Sequence, residues 1–524
     1  MALLCGTGRR RWRKPSAPAS FKKPLLAAAI TVLALVGAGV SWGAASYDPA
    51  TDNYSMYNVT AQTGAAAWWN AGYTGAGVDV AVIDTGVSPV PGLDGPGKII
   101  NGPDLSLESQ NPAFRYLDTN GHGTFMAGLI AGKDSTLTAP YSSAPASAYR
   151  GMAPDARIVS IKVGVADGGA DVSQVIAAID WVVQHRNDNG LNIRVINLSY
   201  GTNSLQGYEV DPLSFAVEQA WKQGIVVVAA AGNSGYQVSH GAPGLADPAY
   251  NPYVIAVGGS DSMGTASLGD DTIGGYSASA AIQCSTGCKT PDVAAPGSHL
   301  QGLRVPNSFL DQNHPEGRLG DRFFRGSGTS QSAAITSGAI ALILQKNPRY
   351  TPDQVKSLLG VSASKLVGIT DKLQGAGEID LTAALTASIP KKYAQSFTAS
   401  TGTGLLEGSR GTDHVTDDGV LLQGEIDIFG HAFNSSAMAA LEAAGNSWSG
   451  GTWNGNSWSG NSWSGNSWSG NSWNGNSWSG NSWSGNSWSG NSWSGNSWSG
   501  NSWSGNSWSG NSWFGNSWSG GSWS

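Results

Sequence analysis

Charge is scarce in this chain. Asp, Glu, Lys and Arg make up 12% of its 524 residues, against 73 glycines, which sets it apart from an average cytosolic enzyme. Basic residues are scarcer still once the first segment is set aside. Residues 1–24 hold Arg9, Arg10, Arg11, Arg13, Lys14, Lys22 and Lys23 and no acid, and taking those seven charges from the net −7 leaves −14. A remainder that acidic argues against nucleic acid as a partner. Cysteine numbers three. Cys5 lies in the basic segment, and Cys284 and Cys288 stand four apart in Cys-Ser-Thr-Gly-Cys. In an exported chain this spacing predicts a small disulfide loop, whereas a two-cysteine metal site would need further ligands. So short a loop gains little entropy on closure, and the fold does not depend on it.

Outside the repeats, long apolar runs are also lacking, with one exception. Leu25–Val40 is 16 residues of mostly apolar sequence, preceded by the basic segment and followed by the small residues Ser41, Gly43, Ala44 and Ala45. A membrane span needs about 20 such residues. Residues 1–45 are therefore read as a cleaved export signal, with an uncleaved anchor as the alternative. The expectation is a secreted or cell-surface-associated protein with no membrane attachment after cleavage.

What is present begins with Gly326-Ser-Gly-Thr-Ser-Gln-Ser-Ala-Ala-Ile-Thr-Ser-Gly338, continuing into Ala339-Ile-Ala-Leu-Ile-Leu344. A glycine-rich lead-in opens a buried helix, so Ser330 sits at a helix N-terminus. There, free backbone N–H groups and the helix dipole favour developing negative charge. Taken alone, Ser330 reads as an N-cap. The rest of the chain supplies partners. Val78–Ile83 reads as a buried strand that ends on Asp84-Thr-Gly86, and His122 opens a helix in Asn120-Gly-His-Gly-Thr-Phe. Ile225–Ala231 reads as a buried strand that runs into Gly232-Asn233-Ser-Gly235. Further strands are expected at 157–163, 193–199 and 253–257, and helices at 171–186, 212–223 and 351–359. Residues 46–60 read as an extended entry segment, 87–118 as loop and 298–325 as a surface insertion. Strands and helices alternate, which argues for an α/β fold with a mainly parallel sheet covered on both faces.

An acid, an imidazole, a hydroxyl and an amide are the groups that acyl transfer needs. Serine is a weak nucleophile, histidine takes its proton near neutral pH, and aspartate fixes the tautomer. A neutral amide then holds the oxyanion. The motifs Val80-Ala-Val-Ile-Asp-Thr-Gly86, Asn120-Gly-His-Gly-Thr124, Ala230-Ala-Gly-Asn-Ser-Gly235 and Gly328-Thr-Ser330 resemble those of the subtilases, the subtilisin-like serine proteases. Gly151-Met-Ala-Pro-Asp-Ala156, Asn197-Leu-Ser-Tyr-Gly201 and Pro291-Asp-Val-Ala-Ala-Pro-Gly297 add to the resemblance, which covers about residues 60–390. It implies a subtilisin-like three-layer fold over 46–390 and a serine endopeptidase acting on polypeptides. Asp84, His122 and Ser330 would form the triad and Asn233 the oxyanion hole. Ser199, Tyr200 and Gly201 would pair with substrate, and Ala230 and Gly232 would line the specificity pocket. Calcium is a family ligand, and Asp94, Asp104 and Asp118 lie in loops, without a liganding pattern that assigns a site.

Two departures stand out. Gln331-Ser332-Ala333-Ala334 replaces the Met-Ala and later Pro usual after the serine, and few residues separate the export signal from the peptidase region, where a folding propeptide domain is usual. Residues 391–444 read as a connector. Residues 445–524 repeat Gly-Asn-Ser-Trp-Ser, with Trp at every fifth position from 448 to 523, 16 in all, and no charged residue. This tail is expected to be disordered or a β-solenoid, with three extended residues and a Gly-Asn corner per side. Its tryptophans suit cell-surface glycan binding or self-association. With the tail as the working part, the alternative to an enzyme is a catalytically silent binding scaffold.

Overall fold

A computed structural model of the chain describes residues 47–457, apart from 110, 112, 237–243, 281–288, 390–391, 418–419, 429, 450–451 and 454–455, together with 472–474, 492–494 and 512–514. The expected export signal, the expected disulfide of Cys284 and Cys288, and most of the repeat tail lie outside the described residues.

The core is a sheet of eight strands. They are β1 (Asp79–Asp84), β2 (Ile99–Asp104), β3 (Arg157–Lys162), β4 (Ile193–Leu198), β5 (Val226–Ala230), β6 (Ile255–Asp261), β7 (Thr272–Ile273) and β8 (Val293–Pro296). Their order is β2-β3-β1-β4-β5-β6-β7, with β8 also on β6, and every pairing except β6 with β7 is parallel. All six residues of β1 are buried. A strand covered on both faces carries an apolar run instead of an alternation, which is how Val80-Ala-Val-Ile83 could be read from sequence. β2 was not legible. It lies in the stretch expected to be loop, since Ile99-Ile-Asn-Gly-Pro-Asp104 offers only two β-branched residues before turn-forming ones. Pairing with β3 makes it a strand.

The entry segment differs from the expected extended chain. Met56–Gln62 is a helix, α1, because Ser55 accepts a hydrogen bond from Asn58 N as its N-cap and Met56 and Val59 are buried. It is followed by α2 (Ala65–Asn70), α3 (His122–Ala131), α4 (Val172–His185) and α5 (Pro212–Lys222). Asp171 and Gln174 form a capping box on α4, and Asp211 caps α5 with Pro212 in its first turn. The insertion forms β9 (Leu300–Leu303), α6 (Phe309–Asn313), β10 (Arg318–Leu319) and β11 (Phe323–Gly326), a small antiparallel sheet ordered β10-β11-β9. α7 (Thr329–Lys346) then passes through the centre of the molecule, buried on every side from Thr329 to Leu344. It packs on β4, β5, β6, β8 and α3, while α4 and α5 pack together against the sheet. Three layers result: helices, sheet, helices. α8 (Pro352–Ser362), α9 (Asp371–Gln374) and α10 (Leu381–Thr386) close this part.

Where described, the expected connector 391–444 is no free spacer. It forms α11 (Leu406–Arg410), the hairpin β12 (Thr416–Asp417) and β13 (Val420–Leu421), and α12 (Ser435–Ala443). Arg410 is completely buried in an ion pair with Asp171, the residue that caps α4, at 2.6 Å. The first repeats of the tail continue the contact through β14 (Trp448–Ser449), β15 (Thr452–Trp453) and β16 (Asn456–Ser457). The Trp453 indole is fully buried and donates to Asp180 of α4 at 2.8 Å. Farther along, β17 (Ser472–Asn474), β18 (Ser492–Ser494) and β19 (Ser512–Phe514) pair in parallel, aligning positions 473, 493 and 513. That register advances four repeat units per layer. Most of the other repeats are not described.

Candidate active site

Parallel strands deliver their carboxyl ends to one edge, where open α/β sheets place ligands. Asp84 is the last residue of β1, and α3 begins nearby at His122. The helix must approach very closely to bring the two together. A Cβ on Gly123 would lie 2.2 Å from the Gly86 carbonyl oxygen, so only glycine fits, and Gly121 caps the helix at φ +105°. The result is a two-pronged contact: His122 Nδ1 lies 2.8 Å from Asp84 Oδ1 and 3.0 Å from Oδ2.

The Asp84 side chain is buried, and Oδ1 also accepts from Thr85 N at 2.8 Å. Asp118, fully enclosed, ties the approach together. It accepts from Thr85 Oγ1, Gly121 N and Thr124 N, each at 2.7 Å. Burial pushes the Asp118 carboxyl up, against the pull of those bonds. For His122, burial is the largest single effect and pushes its pKa down. The charge of Asp84, its hydrogen bond and the charge of Asp118 together outweigh it and hold the imidazole above its ordinary 6.5.

Ser330 occupies the second position of α7, as the glycine lead-in predicted. Its N–H lies in the first turn, where the carbonyl four residues back belongs to Gly326, outside the helix. Its Oγ lies 3.5 Å from the Ser199 carbonyl oxygen, and Ser199 Oγ donates in return to Ser330 O at 3.1 Å. Asn197 of β4 steadies the pair, donating to Ser199 Oγ and accepting from Ser337 Oγ of α7. Asn233 follows β5. Its Oδ1 accepts from Thr329 N at 2.9 Å and Thr329 Oγ1 at 3.0 Å, and Thr329 Oγ1 accepts from Gly232 N at 3.1 Å. With the carbonyl oxygen so engaged, the amide Nδ2 is left as a donor.

Ser199, Tyr200, Gly201, Ala230, Gly232, Asn233 and Ser330 all border one cavity of about 660 Å³. Gly232, at φ +110°, packs against Ala246, so small residues shape its floor. Asp84, His122, Ser199 and Tyr200 border an adjoining pocket. A second large cavity, about 500 Å³, lies on the His122 and Gln331 side, walled by Phe125 and by Leu310, His314 and Phe324 of the insertion. Gln331 turns toward Gly326 and Gly328, and Ser332 Oγ donates to Ala295 O at 2.9 Å. The altered run after Ser330 thus continues α7 unbroken.

Three groups escaped the sequence reading: Thr329 as the residue holding Asn233, Gly168 and Gly169 as cavity wall, and the far stretch 412–415. Gly168 and Gly169 carried a signal, lying past a strand end; Thr329 stood inside the Gly-Thr-Ser motif, but nothing local tied it to Asn233, 96 positions away. The third carried none. Asp104 accepts from Ser106 N, Ser106 Oγ and Tyr116 N, and Asp118 is engaged as above. Among the described residues no three His, Cys, Asp or Glu side chains converge to hold a metal. Asp94, Asp104 and Asp118 form no such group. Nor, among the described residues, is any helix long and apolar enough to cross a membrane.

A three-layer α/β sheet with an acid–imidazole contact at its carboxyl edge is the architecture of the subtilisin-like serine-type endopeptidases. The match to known proteins is narrower still. The chain belongs to the subtilase family, whose Peptidase S8 model matches residues 75–377. It is 37% identical to the serine protease AprX of Bacillus subtilis (strain 168), over 59% of this chain and 66% of that one. It is 31% identical to subtilisin BL of Lederbergia lenta, over 61% of this chain and 95% of that one. Fervidolysin from Fervidobacterium pennivorans, described as a keratinolytic enzyme related to subtilisin, matches at TM-score 0.49 and 26% identity, over 64% of this chain and 46% of that one. The repeat tail lies beyond the family match.

Proposed function

We propose that this chain is a secreted serine endopeptidase in which Asp84, His122 and Ser330 act as the triad and Asn233 as the side-chain oxyanion donor. The observation that carries the reading is the contact of His122 Nδ1 with both Asp84 oxygens, beside the cavity that Ser330 borders. An extended polypeptide lies along Ser199–Gly201 as an added strand, with the side chain before the scissile bond between Ala230 and Gly232. Ser330 Oγ turns from Ser199 O to His122 Nε2, loses its proton there and attacks the carbonyl carbon. Hydrogen-bond geometry of this kind tightens when substrate arrives. Asp84 accepts from Nδ1–H, fixing the tautomer and stabilising the imidazolium. The oxyanion takes hydrogen bonds from Asn233 Nδ2 and Ser330 N–H, donors already in position. His122 then gives its proton to the departing amine, which leaves toward the cavity beside Gln331. Water, activated by the same imidazole, releases the acyl group.

The tail serves attachment to a surface, through cell-surface glycan or through other copies of the chain, and takes no part in the chemistry. The rival reading is a catalytically silent scaffold; it draws on the Gln331–Ala334 run and on the present contact of Ser330 Oγ with Ser199 O. Labelling by a serine-directed fluorophosphonate separates the two. The parent protein is expected to label and Ser330→Ala not to. Folded parent that fails to label through Ser330 ends the peptidase reading.

A further inference from the structure

The cavity beside Ser330 is not closed by the catalytic elements alone. Its far wall is made by Thr412, Asp413, His414 and Val415, which follow α11. Side chains of this stretch hold it to the loop after β4. Asp413 Oδ2 accepts from Asn203 N at 2.9 Å, and Thr412 Oγ1 from Asn203 Nδ2 at 3.3 Å. Gly411 sits at φ +60°, where a Cβ would meet the Asn203 carbonyl oxygen at 2.0 Å, so the close approach depends on glycine. The buried Arg410–Asp171 pair anchors the stretch from the other direction. Across the cleft, Val415 Cγ1 stands 3.6 Å from where a Cβ on Gly169 would be. The stretch therefore bridges the loops after β3 and β4, the two walls between which a substrate strand would lie.

Charge gives this end wall a preference. Among the described residues bordering the cavity there is no Lys or Arg. His414 is engaged with Glu407 at 2.9 Å, and Asp413 is exposed. Beside the opposite wall, two residues before the lining Gly169, Asp167 is also exposed and accepts from Gly169 N at 3.0 Å. Two carboxylates thus flank the closed end, with no cation among the described lining residues to offset them.

Building on the peptidase reading, we propose that residues 412–415 close the half of the cleft that binds the substrate ahead of the scissile bond, and that Asp413 there selects a lysine or arginine side chain. The selected residue lies beyond the one next to the scissile bond. The test uses the full chain and otherwise identical quenched peptides with Lys, Gln or Glu at the second, third or fourth residue before the cleaved bond. Parent protein is expected to favour Lys over Glu in kcat/KM by about 3- to 20-fold at one of these positions, as follows when an exposed ion pair forms with Lys and a repulsion is met with Glu. Asp413→Asn, which keeps an acceptor for Asn203 N–H, flattens the ratio, and Asp413→Lys inverts it. Added salt weakens the parent's preference. Ser330-dependent cleavage with one unchanged ratio in all three proteins overturns this inference alone. Absence of any Ser330-dependent cleavage overturns the peptidase reading and this inference with it.

Discussion

For a single residue, protonation decides the rate. His122 works as a base only when neutral, and Asp84 and Asp118 hold its pKa above 6.5. Activity should therefore climb as pH rises through a value above the ordinary histidine 6.5, and fall below it. Asp84→Asn removes the charge and lets the amide hold the wrong imidazole tautomer but leaves the burial, so the limb should move to lower pH and kcat should drop about 10⁴-fold. A pH–rate profile whose limb stays in place would show that Asp84 does not govern His122. Asn233→Ala should cost about 10²- to 10³-fold in kcat with little change in KM, as loss of one oxyanion donor does. Thr329→Val keeps the backbone N–H that holds Asn233 and loses only the hydroxyl, so the loss in kcat should be smaller. Equal losses in both variants would mean that Asn233 is positioned entirely through the Thr329 hydroxyl.

Elements meet through groups that cost stability as well as groups that supply it. Glu378 bridges by its backbone to Ala294 of β8 and to Ser364. Its side chain is enclosed, Oε2 has no hydrogen-bond partner, and burial pushes its pKa up to about 7. The folded protein then holds a proton that the unfolded chain releases near pH 4.5. Stability from this group is full below that value and declines as pH rises through 7, by about 3 kcal/mol at 1.4 kcal/mol per unit. Glu378→Gln should flatten this decline in thermal melts between pH 5 and 8. A melt series with the parent's slope would show that another group carries it. The same logic of close approach governs α3 on β1. Gly123→Ala sets a methyl against the Gly86 carbonyl oxygen, and a 1 Å displacement of His122 from Asp84 is enough to cost about 10²-fold in rate.

The whole molecule extends past its catalytic layers. α12 and the first tail repeats pack on α5 and α4, with Trp448 and Trp453 buried. A chain ending at residue 457 should keep these contacts, melt like the full protein and cleave a small peptide at the full rate. Trp453→Ala should lose about 3–5 kcal/mol, since it opens a cavity and strips a donor from buried Asp180. Large loss of small-peptide activity in the 457 truncation would give the distal repeats a catalytic role that this reading denies them.

Sequence alone determined what periodicity and local chemistry write into a chain. The apolar run of β1, the capped spacing of α4 and α8, and the glycine-flanked Asp84, His122, Asn233 and Ser330 are each local signals, legible without partners. Their meeting at one edge was implied only because parallel strands send their carboxyl ends the same way. Tertiary structure decided the rest. β2 is a strand through its pairing with β3, and α1 a helix through burial of Met56 and Val59. Thr329 could not be read as the holder of Asn233, because the contact spans 96 positions. The cleft wall at 412–415 is aperiodic, and the Asp413 and Thr412 side chains that hold it reach Asn203 across more than 200 positions, which no local pattern marks. Only the folded chain can say which groups meet.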